Sequence, residues 1–212
     1  MDWRRPLLLP ALLALLLLLP AHPALAQETK ESSLDHLFGS RTVVNSDLND
    51  LPQWLQTLTR HGLEDRPERP VLKEWYLLLR ELEGQPRHTQ LQRVNTFINR
   101  QRYTLDQVNY GVEDYWAVVR EFLAVAGDCE DFTISKFFSL RRLGFSPEAL
   151  RIVILQDTNL GIAHAVLAVE HEGQALILDN QTNAILPDTR IIHYTPLYSV
   201  NEQHWWLHLP PM

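Results

Sequence analysis

The chain has 212 residues, 45% of them hydrophobic, and carries 26 acidic against 19 basic side chains for a formal net charge of −7. That length suits one domain with a real core, and the acidic balance argues against nucleic acid or an anionic membrane surface as a partner. A single cysteine, Cys129, excludes an intrachain disulfide.

In chain order, the first feature is a leader. Arg4 and Arg5 precede a leucine-rich run from Leu7 to Leu19, and Ala24-Leu25-Ala26 follows. A basic start, an apolar stretch and small residues at a cleavage site are the order of a secretory signal. The run is shorter than the roughly 20 residues a spanning helix needs. Export with cleavage after Ala26 is therefore expected, without stable membrane insertion, and residues 27–212 form the domain. Residues 27–45 are polar and mixed and read as a loose lead-in.

From Leu51 to Asn99 the apolar residues recur at helical spacing. Trp54, Leu55, Leu58 and Leu63 form one set, Trp75, Leu78, Leu79 and Leu82 a second, and Leu91, Val94, Phe97 and Ile98 a third. Pro67, Pro70 and Pro86 mark the breaks. Asp114 to Leu123 reads as a short helix. Gly127 then lets the chain turn, and Asp128 stands as N-cap of a helix running to about Leu143, with Gly144 as its stop. Phe132, Phe137, Leu140 and Leu143 give that helix an apolar face, so it is a buried central element. After Pro147, residues 151–155, 164–170 and 175–180 read as strands, and the tail from Ile191 to Leu209 adds another. The fold class is α+β: helices first, then an antiparallel sheet, with the Cys129 helix at the junction.

The chemistry gathers at 127-GDCED-131. In an oxidising compartment an unpaired cysteine is either a small buried hydrophobe or a thiol kept for its reactivity. A nucleophile needs a base within reach and a third group to orient that base. A helix N-terminus adds a dipole that favours the thiolate and N–H groups for an oxyanion. His164 opens one strand and Asp179 ends the next. If Glu172-Gly173 is a two-residue hairpin loop, His171 faces Gln174 and Val166 faces Asp179, so His164 and Asp179 share a face within side-chain reach. An odd loop without a bulge would separate them. The acidic neighbours Asp128, Glu130 and Asp131 are unexpected, because they disfavour a thiolate. They are either cap and first-turn residues or ligands of a hard cation such as calcium, which oxygen donors suit.

Several segments carry a resemblance: 95-NTFINRQRYTLDQVNYGVEDYW-116, 114-DYWAVVREFLAVAGDCEDFTISKFFSLRRLG-144, 163-AHAVLAVE-170, 176-LILDNQT-182 and 196-PLYSVN-201. The sequence resembles the LapG family, the bacterial transglutaminase-like cysteine proteinases. The resemblance implies a papain-like core and a Cys129–His164–Asp179 triad. It implies a periplasmic, calcium-dependent endopeptidase that clips a large surface adhesin near its N-terminus and so releases cells from a biofilm. It turns Asp128, Glu130 and Asp131 towards calcium. It also implies a LapD-like inner-membrane cyclic-di-GMP receptor that sequesters the enzyme. Two segments depart from the family pattern, 124-AVAGD-128 and the compact 157-DTNLGI-162, and both could reshape the groove. Two other readings keep the same residues: a transglutaminase-type transfer to an amine, and a non-catalytic periplasmic binding module.

Overall fold

The computed structural model describes residues 32–64 and 70–211. The expected leader, its cleavage site and the break at Pro67 lie outside the described residues, as does the side chain of Leu63. Among the described residues no helix is long and apolar enough to cross a membrane.

Among the described residues, six α-helices form one block of the chain and six of the seven strands follow as another. A 3-10 segment, Ser33–Gly39, leads into β1 (Arg41–Asn45). The helical block follows: α1 (Pro52–Glu64), α2 (Lys73–Leu82), α3 (Arg87–Ile98), α4 (Asp106–Asn109), α5 (Val119–Val125) and α6 (Cys129–Arg142). The strands are β2 (Leu150–Asp157), β3 (Ile162–His171), β4 (Gln174–Leu178), β5 (Leu186–Pro187), β6 (Tyr194–Val200) and β7 (Trp205–Leu209). They form one antiparallel sheet in the order β1-β7-β6-β2-β3-β4-β5.

The helix spacing in the sequence produces the main core. Trp54, Trp75, Leu91, Val94, Phe122, Phe137 and Leu140 are buried together with Ile152, Leu167, Val169 and Leu178 from the sheet. Trp54 has a tethered end: its indole N–H donates to the Asn201 carbonyl at 2.7 Å, so a large apolar body is buried without an orphaned donor. α6 is buried on nearly every side, with Phe132, Ile134, Phe137, Phe138 and Leu140 all in the core. Such a helix has little freedom to shift. Arg141 and Arg142 lie in its last turn, where the macrodipole favours cations. Gly144 takes a φ of 82°, and Phe145 N–H closes back on the Leu140 carbonyl at 3.1 Å. That is the bond of a Schellman stop.

Two expectations are corrected. Residues 32–45 are not a loose lead-in. Leu34 and Leu37 pack with Val153, Leu155, Val166, Ala168 and Ile177 on the second sheet face, and β1 adds to β7 as an edge strand. The buried guanidinium of Arg151 ties this strap down, donating to the Leu34 carbonyl and to Asp35, each at 2.6 Å. A sheet of this size needs both apolar faces covered, and the helices cover only one. The second correction is the helix expected over Asp114–Leu123. α5 begins at Val119, because Glu121 accepts from the Val118 N–H at 3.1 Å and fixes the start there.

Candidate active site

Glu172 and Gly173 form the two-residue loop, with φ of 52° and 77°. Positive φ at both positions matches the right-handed twist of the flanking strands. His171 therefore faces Gln174, and Leu167 faces Leu178. That register brings His164 to Asp179: Nε2 lies 3.0 Å from Oδ1, with both residues 4% exposed. Asp179 is held on every side. The Gln181 backbone N–H donates to Oδ1 at 2.9 Å, and the Tyr194 hydroxyl donates to Oδ2 at 2.6 Å. Burial alone would raise its pKa. The hydrogen bond and charge of His164, with the Gln181 and Tyr194 donors, outweigh burial and hold Asp179 below the usual carboxylate range. Because Asp179 occupies Nε2, Nδ1 is the imidazole nitrogen left for proton exchange.

Cys129 is the first residue of α6, with Asp128 at the N-cap position. One turn on, the Thr133 hydroxyl bridges the Cys129 carbonyl at 2.9 Å and the Ala165 carbonyl at 3.1 Å. This pins the start of α6 to the residue after His164. Burial pushes the Cys129 thiol well above its ordinary value, Glu130 and Asp128 push the same way, and the Ala165 backbone N–H opposes them. Sγ donates to Glu130 Oε2 at 3.0 Å.

The acidic cluster divides. Asp128 and Asp131 meet Asp106 from α4, and one carboxylate oxygen of each lies within 4.8 Å of the others. Glu130 is not in this group and is turned to the thiol. Asp128 makes no side-chain cap bond. All three aspartates are buried, and each keeps an oxygen with no partner: Asp106 Oδ1, Asp128 Oδ1 and Asp131 Oδ2. Their other bonds are fixed, since Asp131 Oδ1 accepts from the Ala117 N–H at 2.6 Å and Asp106 Oδ2 accepts from the Tyr115 N–H. Burial, then neighbouring carboxylates, pushes Asp131 up to about 9. Burial also leads the rise of Asp106 to about 6 and of Asp128. Buried anions that repel one another and keep spare lone pairs fit a hard dication.

Gly127 serves this cluster rather than the turn. A Cβ there would meet Asp131 Cβ at 2.6 Å, with Oδ2 closer still. The strained turn residue is Ala126, with a φ of 124°. Asp106 has no signal of its own in the sequence. It arrives because Tyr103 bridges Gly127 in parallel and the Thr104 N–H donates to the Gly127 carbonyl at 2.8 Å.

The fold and the site define a class, the cysteine proteinases with a transglutaminase-like core. Residues 80–211 match the family described as bacterial transglutaminase-like cysteine proteinase, and the chain belongs to that family. Among solved structures, Legionella pneumophila LapG is 32% identical with a TM-score of 0.60, over 72% of this chain and 86% of that chain. Its calcium-bound form matches equally, and its EGTA-treated form matches over 84% of that chain. A comparison with curated protein sequences found no match.

Proposed function

We propose that this cysteine proteinase is a calcium-dependent periplasmic endopeptidase that cleaves the N-terminal region of a large surface adhesin. In this reading Cys129, His164 and Asp179 are the triad, and Asp106, Asp128 and Asp131 hold calcium. The observation that carries it is the His164–Asp179 pair at 3.0 Å, on the strand to which Thr133 fastens the Cys129 helix. Calcium binding by Legionella LapG supports the metal half, together with the three orphaned carboxylate oxygens. The basic start, leucine-rich run and Ala24-Leu25-Ala26 of the sequence, which have the order of a secretory signal, support export. A LapD-like inner-membrane receptor for cyclic-di-GMP is the proposed inhibitor.

The chain's own residues divide the work. Asp179 fixes the ring of His164 through Nε2, so Nδ1 is the base. Nδ1 takes the thiol proton once Sγ leaves Glu130. The thiolate attacks a peptide carbonyl, and N–H groups at the α6 N-terminus hold the oxyanion. His164 returns the proton to the leaving amine, and water hydrolyses the thioester. When bound, calcium supplies positive charge that offsets the carboxylates beside the thiol.

The test is cleavage of an N-terminal adhesin fragment, with a labelled amine present and with or without chelator. Cys129→Ala should abolish cleavage, and chelator should stop the wild type until calcium is restored. Amine incorporation without backbone cleavage would sink the protease assignment. Cleavage that persists in chelator would remove the metal from it.

A further inference from the structure

Asp179 stands just outside the sheet that delivers it. The β3–β4 ladder ends at the Leu167–Leu178 pair. Pairing therefore no longer sets the course of the main chain at the residue that meets His164. Displacement there matters, because Asp179 Oδ1 lies 3.0 Å from His164 Nε2 and the bond at one ring nitrogen decides what the other can do. The turn from Asp179 to Asn183 needs another hold.

Helix α3 supplies it through a row of amides. Leu91, Val94 and Ile98 bury one stripe of α3 in the core, which anchors the helix. Gln92, Asn95 and Asn99 repeat that spacing one residue on, so they form a second stripe beside the first. All three donate to the turn. Gln92 reaches the Asn183 carbonyl at 3.1 Å, and Asn95 reaches the Thr182 carbonyl at 3.3 Å. Asn99, which closes the helix, does more. Its Nδ2 lies 2.8 Å from the carbonyl of Asp179 itself, 3.0 Å from the Thr182 carbonyl and 3.0 Å from Asn183 Oδ1. Three acceptors around one nitrogen fix the orientation of the amide, because a flipped amide would set its oxygen against all three. The other half of the group is unused, since Asn99 Oδ1 is buried without a partner. Asn99 therefore serves through its donors, and of the three amides it is the one that bonds Asp179. The Tyr194 hydroxyl holds the carboxyl end of Asp179 at 2.6 Å and Asn99 the main-chain end, so a short side chain is fixed at both ends.

We propose that Asn99 is a positioning residue for the reaction: by holding the main chain of Asp179, it keeps that carboxylate on Nε2 of His164 and so keeps Nδ1 as the base. The inference rests on the Cys129–His164–Asp179 assignment. Asn99 touches neither substrate nor the reacting atoms.

The experiment joins a spectroscopic signature to kinetics, both at fixed calcium. In protein carrying isotopically labelled histidine, the Nε2–H of His164 should give a slowly exchanging low-field proton signal, because its bond to Asp179 is buried. His164→Ala identifies that signal by its loss. Asn99→Leu has a similar volume and no donors, and Asn99→Asp has the same shape with acceptors only. Each should weaken or erase the signal. On an N-terminal adhesin fragment each should lower kcat by roughly 10- to 100-fold, with KM little changed. Gln92→Ala cuts a bond to the same turn but none to Asp179, and should leave both readouts as in wild type. A folded Asn99→Leu or Asn99→Asp with the wild-type signal or the wild-type kcat overturns the inference. An equal loss in Gln92→Ala also overturns it, since the general stability of the turn would then be the cause. His164→Ala separates the two failures. If it is inactive while the Asn99 variants are not impaired, only this inference falls. If it cleaves like wild type, or if wild type shows no such signal, the triad falls with it.

Discussion

Two buried acidic sites flank the start of α6, and they are in opposite states. Asp179 is satisfied: an imidazole, a backbone N–H and a phenol fill its oxygens and hold it below the usual carboxylate range. Asp106, Asp128 and Asp131 each keep an orphaned oxygen and are held above that range. Burial is similar in the two places, so burial does not explain the difference. What differs is the supply of donors. One site has been completed by the chain itself. The other has the form of a site completed by a cation, and it lies next to the residue whose thiol its negative charge opposes.

Breaking the satisfied site should cost most. Asp179→Asn keeps the shape but replaces an acceptor-only group, so His164 loses its fixed tautomer. Cleavage should fall by roughly a thousandfold, with substrate binding little changed, as steady-state kinetics would report. A fall of only a few-fold would mean that His164 is oriented by something else.

The unsatisfied site should respond to pH and calcium together. Carboxylates held above their unfolded values stabilise the fold while protonated. They lose that contribution as pH rises from about 4 through about 9 for Asp131. Chelated protein should therefore melt progressively lower as pH rises across this window, while calcium-loaded protein should not. The gap should reach roughly 5 °C at mildly alkaline pH, measured by thermal unfolding at a series of pH values. A gap that stays constant with pH would remove the linkage. Asp131→Asn sharpens the same contrast. Its amide can still accept from the Ala117 N–H while removing one negative charge. In chelator this variant should melt a few degrees above wild type, and calcium should no longer raise it.

The smallest effect belongs to Tyr194→Phe. It removes the 2.6 Å bond to Asp179 Oδ2 and leaves His164 and the Gln181 N–H in place. A loss of about 1 kcal/mol is expected, hence a several-fold lower kcat. An effect as large as that of Asp179→Asn would mean that Tyr194 has a direct part in the reaction.

Much of the first site was legible in the sequence. Glu172-Gly173 set an even loop, and an even loop fixes parity, so His164 and Asp179 had to meet. Little of the second was legible. Asp128 and Asp131 sit beside the cysteine, but Asp106 comes from a stretch without periodicity and joins only through the Tyr103–Gly127 bridge. Glu130 looked equivalent to its neighbours, yet it turns to the thiol. Helical rotation separates adjacent side chains by about 100°, so adjacency in sequence did not mean one site. The strap over Ser33–Gly39 was missed for a related reason: two leucines make no pattern until a sheet face needs them.

The sequence by itself determined the local pieces: the helix that begins at Cys129 and stops at Gly144, the hairpin register, and the order of helices before strands. These depend on spacing, caps and turn residues, which act over a few positions. Tertiary structure alone decided which carboxylates share a pocket and which oxygens stay unpaired. Those outcomes depend on burial and on the donors that distant segments bring, and neither is written in any local stretch of the chain.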